Sequence, residues 1–298
     1  MTAEQSRYRA DAAPDYSHRF HAGNVGDVWK HCALVEVLHR VAATAAPVTF
    51  IETHAGEGRY ALAPTGEWTE GIGRLWNDAP ETSGDAVARY LALCRRLGTG
   101  DARPEQYPGS PRFARALLGA DARLALWERD PAAAAQLGAA LGTETSTPVH
   151  VDDGMAALAR EVAAAERTSD AVIALIDPPW TQKADWTAIP DAVARAVHAS
   201  RRATFLLWYP VKSLTRPNAM IARLAAASVA GSIIELITTP LEQRRNRLNG
   251  SGVLLVRAPA GALESIAAAA PVIGERCATR VGTWSCRVQS WDSADTKG

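Results

Sequence analysis

The chain has 298 residues, is 47% hydrophobic, and balances 32 basic against 32 acidic side chains, so its formal net charge is zero. Such a composition can bury one large core or two smaller ones; it excludes a fibrous repeat and a protein coated in basic surface, while leaving room for a local basic face. Four scattered cysteines (Cys32, Cys94, Cys277, Cys286) without a Cys-x-x-Cys pair argue against a disulfide framework or zinc ribbon and fit a reducing cytoplasm.

In chain order, the opening "MTAEQSRYRADAAPDY" is polar, lacks the apolar core of a secretory signal, and predicts a disordered tail over residues 1–15. Residues 24–45 predict a helix, with Asn24 or Asp27 as its cap and Val28, Cys32, Val35 and Leu38 as an apolar stripe. Seven short apolar runs then predict strands: 48–53, 124–128, 149–152, 172–177, 204–210, 232–238 and 252–257. Alanine-rich stretches with helical spacing separate most of them. Continuous apolar strands alternating with helices imply a largely parallel sheet covered on both faces. The last two strands are joined by a basic loop with no clear helix, which predicts one reversed strand. That pattern matches the Rossmann-like class I methyltransferase sheet better than a dehydrogenase sheet. Residues 61–122 exceed what one crossover needs and predict a small helical insertion subdomain, leaving 16–60 and 123–290 as the main α/β domain. No run approaches the length of a membrane span, so no membrane association is expected.

The chemistry-bearing motifs sit at predicted strand ends. Gly56 and Gly58 in "THAGEGRY" permit a tight turn and close approach of backbone to a ligand, although the third glycine of a dinucleotide fingerprint is missing. Glu128 in "LWERD" is either an acceptor for two ribose hydroxyls or a capping acid. Asp153-Gly154 is either an acceptor for an adenine amine or an Asp-Gly turn. Together they favour a nucleoside cofactor at the carboxyl edge of a parallel sheet. "IDPPW" ends the fourth strand on that edge. An adenine amine is a poor nucleophile because its lone pair is delocalised. Acceptance of its two hydrogens by the Asp177 carboxylate and the Pro178 carbonyl favours a tetrahedral nitrogen, and Trp180 offers a face for a flipped base. In "WYPVK", Tyr209 and Lys212 either touch substrate or mark an abrupt strand exit. Arg244, Arg245 and Arg247 make either phosphate contacts or a solvated loop. Arg112 and Arg115 are weaker candidates for RNA contact. His18, His21, His31, His39 and His54 have no cysteine partners and no His-Glu-x-x-His, so no metal is expected.

"YSHRFHAGNVGDVWKH", "THAGEGRY", "YPGSP", "IDPPW" and "WYPVK", in one colinear order from Tyr16 to Val256, resemble the bacterial large-subunit ribosomal RNA adenine-N(6) methyltransferases of the J type. The resemblance implies S-adenosylmethionine as cofactor and the N(6) amine of adenine 2030 of 23S rRNA as target. It implies Lys30, His31, His54 and Ser110 as cofactor contacts, beside Glu128, Asp153-Gly154 and Asp177. It also implies Asp177 as the catalytic acid, with Tyr16 and His18 over the target site. Trp180 stands where a tyrosine is common. Ser110 is also a possible cap for the helix opening at Pro111. The expected partner is free or partly assembled 23S rRNA, with no obligate protein partner and a monomeric state. Other readings of the same motifs are a DNA adenine or protein glutamine methyltransferase, or a non-catalytic adenosine-nucleotide module. An NAD-dependent enzyme is weakened by the missing glycine.

Overall fold

The computed structural model describes residues 18–77, 86–142, 147–243 and 248–293. The predicted tail 1–15 and Tyr16 therefore lie outside the described residues, as do Arg244, Arg245 and Arg247. After a single helical turn α1 (His18–His21), the chain enters α2 (Val25–Ala42), where Asn24 Oδ1 accepts the Asp27 N–H at 2.9 Å. Asparagine is favoured at this position because its side chain satisfies a backbone donor that the helix leaves open. The expected stripe is there, but it is not a one-sided seam. Residues 26 to 38 of α2 are buried throughout, polar side chains included.

Eight strands form the main sheet, one more than the sequence predicts. They are β1 (Val48–Glu52), β4 (Arg123–Trp127), β5 (Val149–His150), β6 (Ala171–Ile176), β7 (Thr204–Val211), β8 (Gly231–Ile237), β9 (Gly250–Val256) and β10 (Ser285–Trp291). Their spatial order is β10-β8-β9-β7-β6-β1-β4-β5. From β5 across to β7 every pairing is parallel. β9 runs antiparallel between β7 and β8, which is the expected reversed strand. β10 adds an antiparallel edge against β8. Its half-exposed, polar-rich sequence lacks the continuous apolar run that marks the others. This is a Rossmann-like class I methyltransferase sheet.

Alternation along the strands feeds two cores. Phe50, Ile173 and Leu175 point toward α2 and toward α10 (Ala262–Cys277). Ile51, Ala174 and Ile176 point toward α7 (Gly154–Ala165), α8 (Asp185–His198) and α9 (Thr215–Ala226). Fully burying a Phe, Ile or Leu side chain contributes about 1.5–3 kcal/mol, and a strand buried on both faces has no solvent side to mark with polar residues. Between β1 and β4 the chain is not helical throughout. It holds the short α3 (Ile72–Leu75), α4 (Ala86–Leu97) and α5 (Ser110–Leu118), and also a small antiparallel pair, β2 (Arg59–Ala61) with β3 (Gln106–Pro108). Three-residue strands are too short for an alternation pattern to be visible in sequence. α6 (Pro131–Leu141) links β4 to β5. Among the described residues no helix is long and apolar enough to cross a membrane.

Candidate active site

The order of strands reverses between β1 and β6: the chain goes from β1 outward to β4 and β5, then returns to the other flank of β1 as β6. Loops leaving adjacent strands on opposite sides of such a point open a crevice at their carboxyl ends. A cleft of about 800 Å³ lies here, with Gly56, Glu128, Asp177, Trp180 and Trp208 in its walls.

Asp177 follows the last residue of β6, and Lys30 reaches it from the second turn of α2, Nζ to Oδ2 at 2.5 Å. The same ammonium donates to Asp27 Oδ1 at 2.8 Å, and Asp27 Oδ2 accepts the Gly23 N–H at 2.9 Å. Lys30 and Asp27 are almost fully buried, and Asp177 is mostly so. Burial disfavours the lysine's charge, but the Asp177 and Asp27 carboxylates outweigh it and hold the ammonium protonated well above the usual lysine range. Lys30 also lies 5.9 Å from the centre of the Trp208 ring.

The β1 side is built around a second buried acid. Glu52 ends β1 with no exposed surface, and Ser110 donates its hydroxyl to Oε1, while among the described residues Oε2 has no hydrogen-bond partner. Burial first, with the nearby Asp177 and Glu128 charges, pushes the Glu52 carboxyl up to about 8, against the Ser110 hydrogen bond and the Lys30 charge. The folded protein then holds a proton that the unfolded chain has released, so stability falls as pH rises from the ordinary glutamate range toward 8. Glu52→Gln, which keeps an acceptor for Ser110, should therefore melt higher than the parent protein at pH 8. That gain should shrink by pH 5, as thermal denaturation at the two pH values will show.

Beyond Glu52 the chain turns through Gly56, at φ +62°. A Cβ there would sit 2.2 Å from Tyr60 Oη, so only glycine lets the backbone pass. Gly56 N–H donates to Glu128 Oε2, and Asp130 N–H to Oε1, both at 2.9 Å, which fixes the Glu128 carboxylate at the end of β4. His54 lines the cleft and shares a 2.9 Å hydrogen bond with the Thr53 hydroxyl; burial lowers its pKa. His31 also lines the cleft, with Nδ1 2.7 Å from Tyr107 Oη.

Not every sequence-predicted residue lands in this cleft. Tyr209 is fully buried on the opposite face of β7, donating to Glu235 Oε1 at 2.9 Å, so it is corrected from substrate contact to core. The two-residue strand period is the reason: it turns Trp208 toward α2 and the cleft, and Tyr209 toward the core under α8 and α9. Lys212 is exposed and does line the cleft. Asp153 and Gly154 lie outside the lining: Asp153 Oδ1 caps α7 through the Met155 and Ala156 N–H groups, and Gly154 packs against the Thr53 backbone. Ser110 caps nothing, since its hydroxyl is given to Glu52 and Gly109 holds the cap position of α5. Arg115 donates to the Gly119 and Ala122 carbonyls in the turn beyond its own helix. Trp180 lines the cleft but is 8% exposed, with its ring 4.4 Å from Trp186 and its N–H on the Trp208 carbonyl at 3.0 Å. α1 starts at His18, whose side chain is outside what is described.

Sequence reasoning missed Asp27 as an ion-pair partner, Glu52 and Trp208. Signals for all three are present: Asp27 stands one helical turn before Lys30, Glu52 precedes the glycine turn as Asp177 precedes its prolines, and Trp208 has the opposite strand parity to Tyr209.

The family described as "Ribosomal RNA large subunit methyltransferase D, RlmJ" matches residues 45–291. Two proteins named "Ribosomal RNA large subunit methyltransferase J", from Haemophilus influenzae and Escherichia coli, are each 31% identical to the chain, covering 82% of it and 87% of their own length. The crystal structure of protein LPL1258 from Legionella pneumophila superposes with a TM-score of 0.80 at 25% identity, covering 91% of this chain and 98% of that one. The chain belongs to the ribosomal RNA large subunit methyltransferase J family.

Proposed function

We propose that this protein methylates the exocyclic N(6) amine of one adenine in 23S rRNA, adenine 2030 by the family resemblance, using S-adenosylmethionine. The observation that carries the reading is Asp177, followed by Pro178, Pro179 and Trp180, at the switch point of the sheet with its carboxylate held by Lys30. The residues fit an adenosyl cofactor. Glu128 is a fixed acceptor for ribose hydroxyls, and the Gly56 turn lines the cleft beside it. Lys30, His31, His54 and Ser110, all in the cleft wall, would hold the cofactor's amino-acid end. When bound, S-adenosylmethionine supplies an electrophilic methyl group on a sulfonium.

The chain's own part is orientation. With Oδ2 on Lys30, Asp177 keeps Oδ1 for one hydrogen of the target amine, while the Pro178 carbonyl takes the other. The two acceptors draw the nitrogen toward tetrahedral geometry and aim its lone pair, so Asp177 acts through preorganised electrostatics rather than as a strong base. The prolines stop the strand and fix the carbonyl's direction. In this reading a flipped base stacks on Trp180, which lines the cleft. Because the base must leave its stack, the substrate is RNA whose target nucleotide is accessible.

Incubation with methyl-labelled S-adenosylmethionine and, separately, protein-free rRNA, DNA and cell protein tests the reading. The expected outcome is label in 23S rRNA alone, recovered as N(6)-methyladenosine at one position. Label in DNA or in protein glutamine would replace the proposed acceptor.

A further inference from the structure

Several described cations are matched by carboxylates. Away from the cleft, Arg223 of α9 pairs with Asp191 of α8 at 2.5 Å, and Arg202, before β7, with Glu166 at 3.4 Å. Around the exits of β6 and β7 the pattern changes. Lys183 sits just before α8, Lys212 just after β7, and Arg216 in the first turn of α9. All three are exposed, and among the described residues none makes a hydrogen bond or ion pair. The carboxylate nearest in sequence, Asp185, accepts the Gln182 N–H at 2.8 Å and so serves its own turn. Arg216 lies 5.8 Å from the centre of the Trp186 ring, which also neighbours Trp180 at 4.4 Å. Lys212 is itself in the cleft wall. The three cations therefore border the same end of the cleft as the Asp177 loop. The opposite end, around the exits of β1, β4 and β5, carries Glu57, Glu128, Asp130, Asp152 and Asp153 against Arg59 and Arg129.

A polyanion approaching this cleft is repelled at one end and attracted at the other. We infer that Lys183, Lys212 and Arg216 form a phosphate-binding lip that seats the RNA backbone beside the flipped nucleotide, on the β6–β7 side of the cleft. This inference rests on the reading of the protein as an RNA methyltransferase. Unpaired side chains at a lip suit the task, because a cation already matched by a carboxylate must give it up to bind phosphate. Lysine and arginine contacts of this kind position the strand without reading its sequence. Arg216, 5.8 Å from the Trp186 ring centre, is within cation–π range of an aromatic side chain packed against Trp180.

The test compares the parent protein with a Lys183→Gln/Lys212→Gln/Arg216→Gln variant, and with Arg195→Gln as control, at the far end of α8. Binding of protein-free 23S rRNA is measured across a salt series, S-adenosylmethionine affinity by calorimetry, and methyl transfer at varied RNA concentration. The lip predicts that the triple variant loses about 2 from the slope of log affinity against log salt, roughly 0.7 for each single-strand phosphate contact. Its KM for RNA should rise on the order of tenfold or more while kcat and cofactor affinity stay within about twofold, and Arg195→Gln should match the parent. An unchanged slope and KM in the triple variant would overturn the lip while leaving the enzyme assignment intact. So would a loss of binding on neutralising Arg59 and Arg112 in its place. A parent protein that neither binds nor methylates the RNA would overturn both.

Discussion

Asp177→Ala is expected to slow methyl transfer by about 10²–10³-fold or more, the range for removing a preorganised electrostatic contact at a reacting centre. Cofactor affinity should change far less, because Glu128 and the Gly56 turn stand on the other side of the switch point and share no hydrogen bond with Asp177. The fold should survive as well. Lys30 keeps Asp27 at 2.8 Å, so its buried ammonium retains one carboxylate. Asp177→Asn would preserve an acceptor oxygen and lose the charge that Lys30 holds, and its rate should fall between those of the parent and the alanine variant. Single-turnover transfer with calorimetric binding separates these contributions, and a normal rate for Asp177→Ala would sink the assignment of this residue.

Lys30→Met is expected to show the opposite balance, with a large stability effect accompanying lost activity. The substitution leaves Asp27 and Asp177 facing one another without their shared cation, in a place where Lys30 and Asp27 are almost fully buried. Removing one partner of a buried ion pair costs about 3–5 kcal/mol, because an uncompensated charge stays behind. For a chain of this size that corresponds to a fall of roughly 6–10 °C in Tm. Adding Asp27→Asn should recover part of the loss, since it removes one of the stranded charges; the double-mutant cycle then isolates the coupling. A Lys30→Met protein melting with the parent would show that the pair does not carry this charge balance.

How much of this was legible beforehand differs from element to element, and for physical reasons. The seven strands were readable because each is an apolar run stopped by turn residues, and burial on both faces enforces such runs. β10 escaped because an edge strand with one solvated face needs no such run, and β2 and β3 because three residues carry no period. α2 was legible as a helix from its cap and its stripe. That it is buried all round was not, because the partners that let Lys30, His31 and Glu36 be buried lie far away in the chain. Tyr209 failed for a related reason. A residue's nearness to a strand end is visible in sequence, but the face it takes depends on register with β9, where Gly252 makes room for its ring.

The sequence by itself determined the chemistry available: an acid, two prolines and a tryptophan at one strand exit, a glycine turn at another, an acid at a third, and a chain of motifs resembling one methyltransferase family. These are local patterns, dictated by backbone constraints and by what an amine nucleophile requires. The tertiary structure alone decided which of them meet. The reversal of strand order between β1 and β6 brings the Gly56 turn beside Asp177, although more than a hundred residues separate them in the chain. The burial of α2 delivers Lys30 to that point with Asp27 behind it. Such pairings depend on long-range topology and on charge balance in a buried place, and no window of sequence contains both partners.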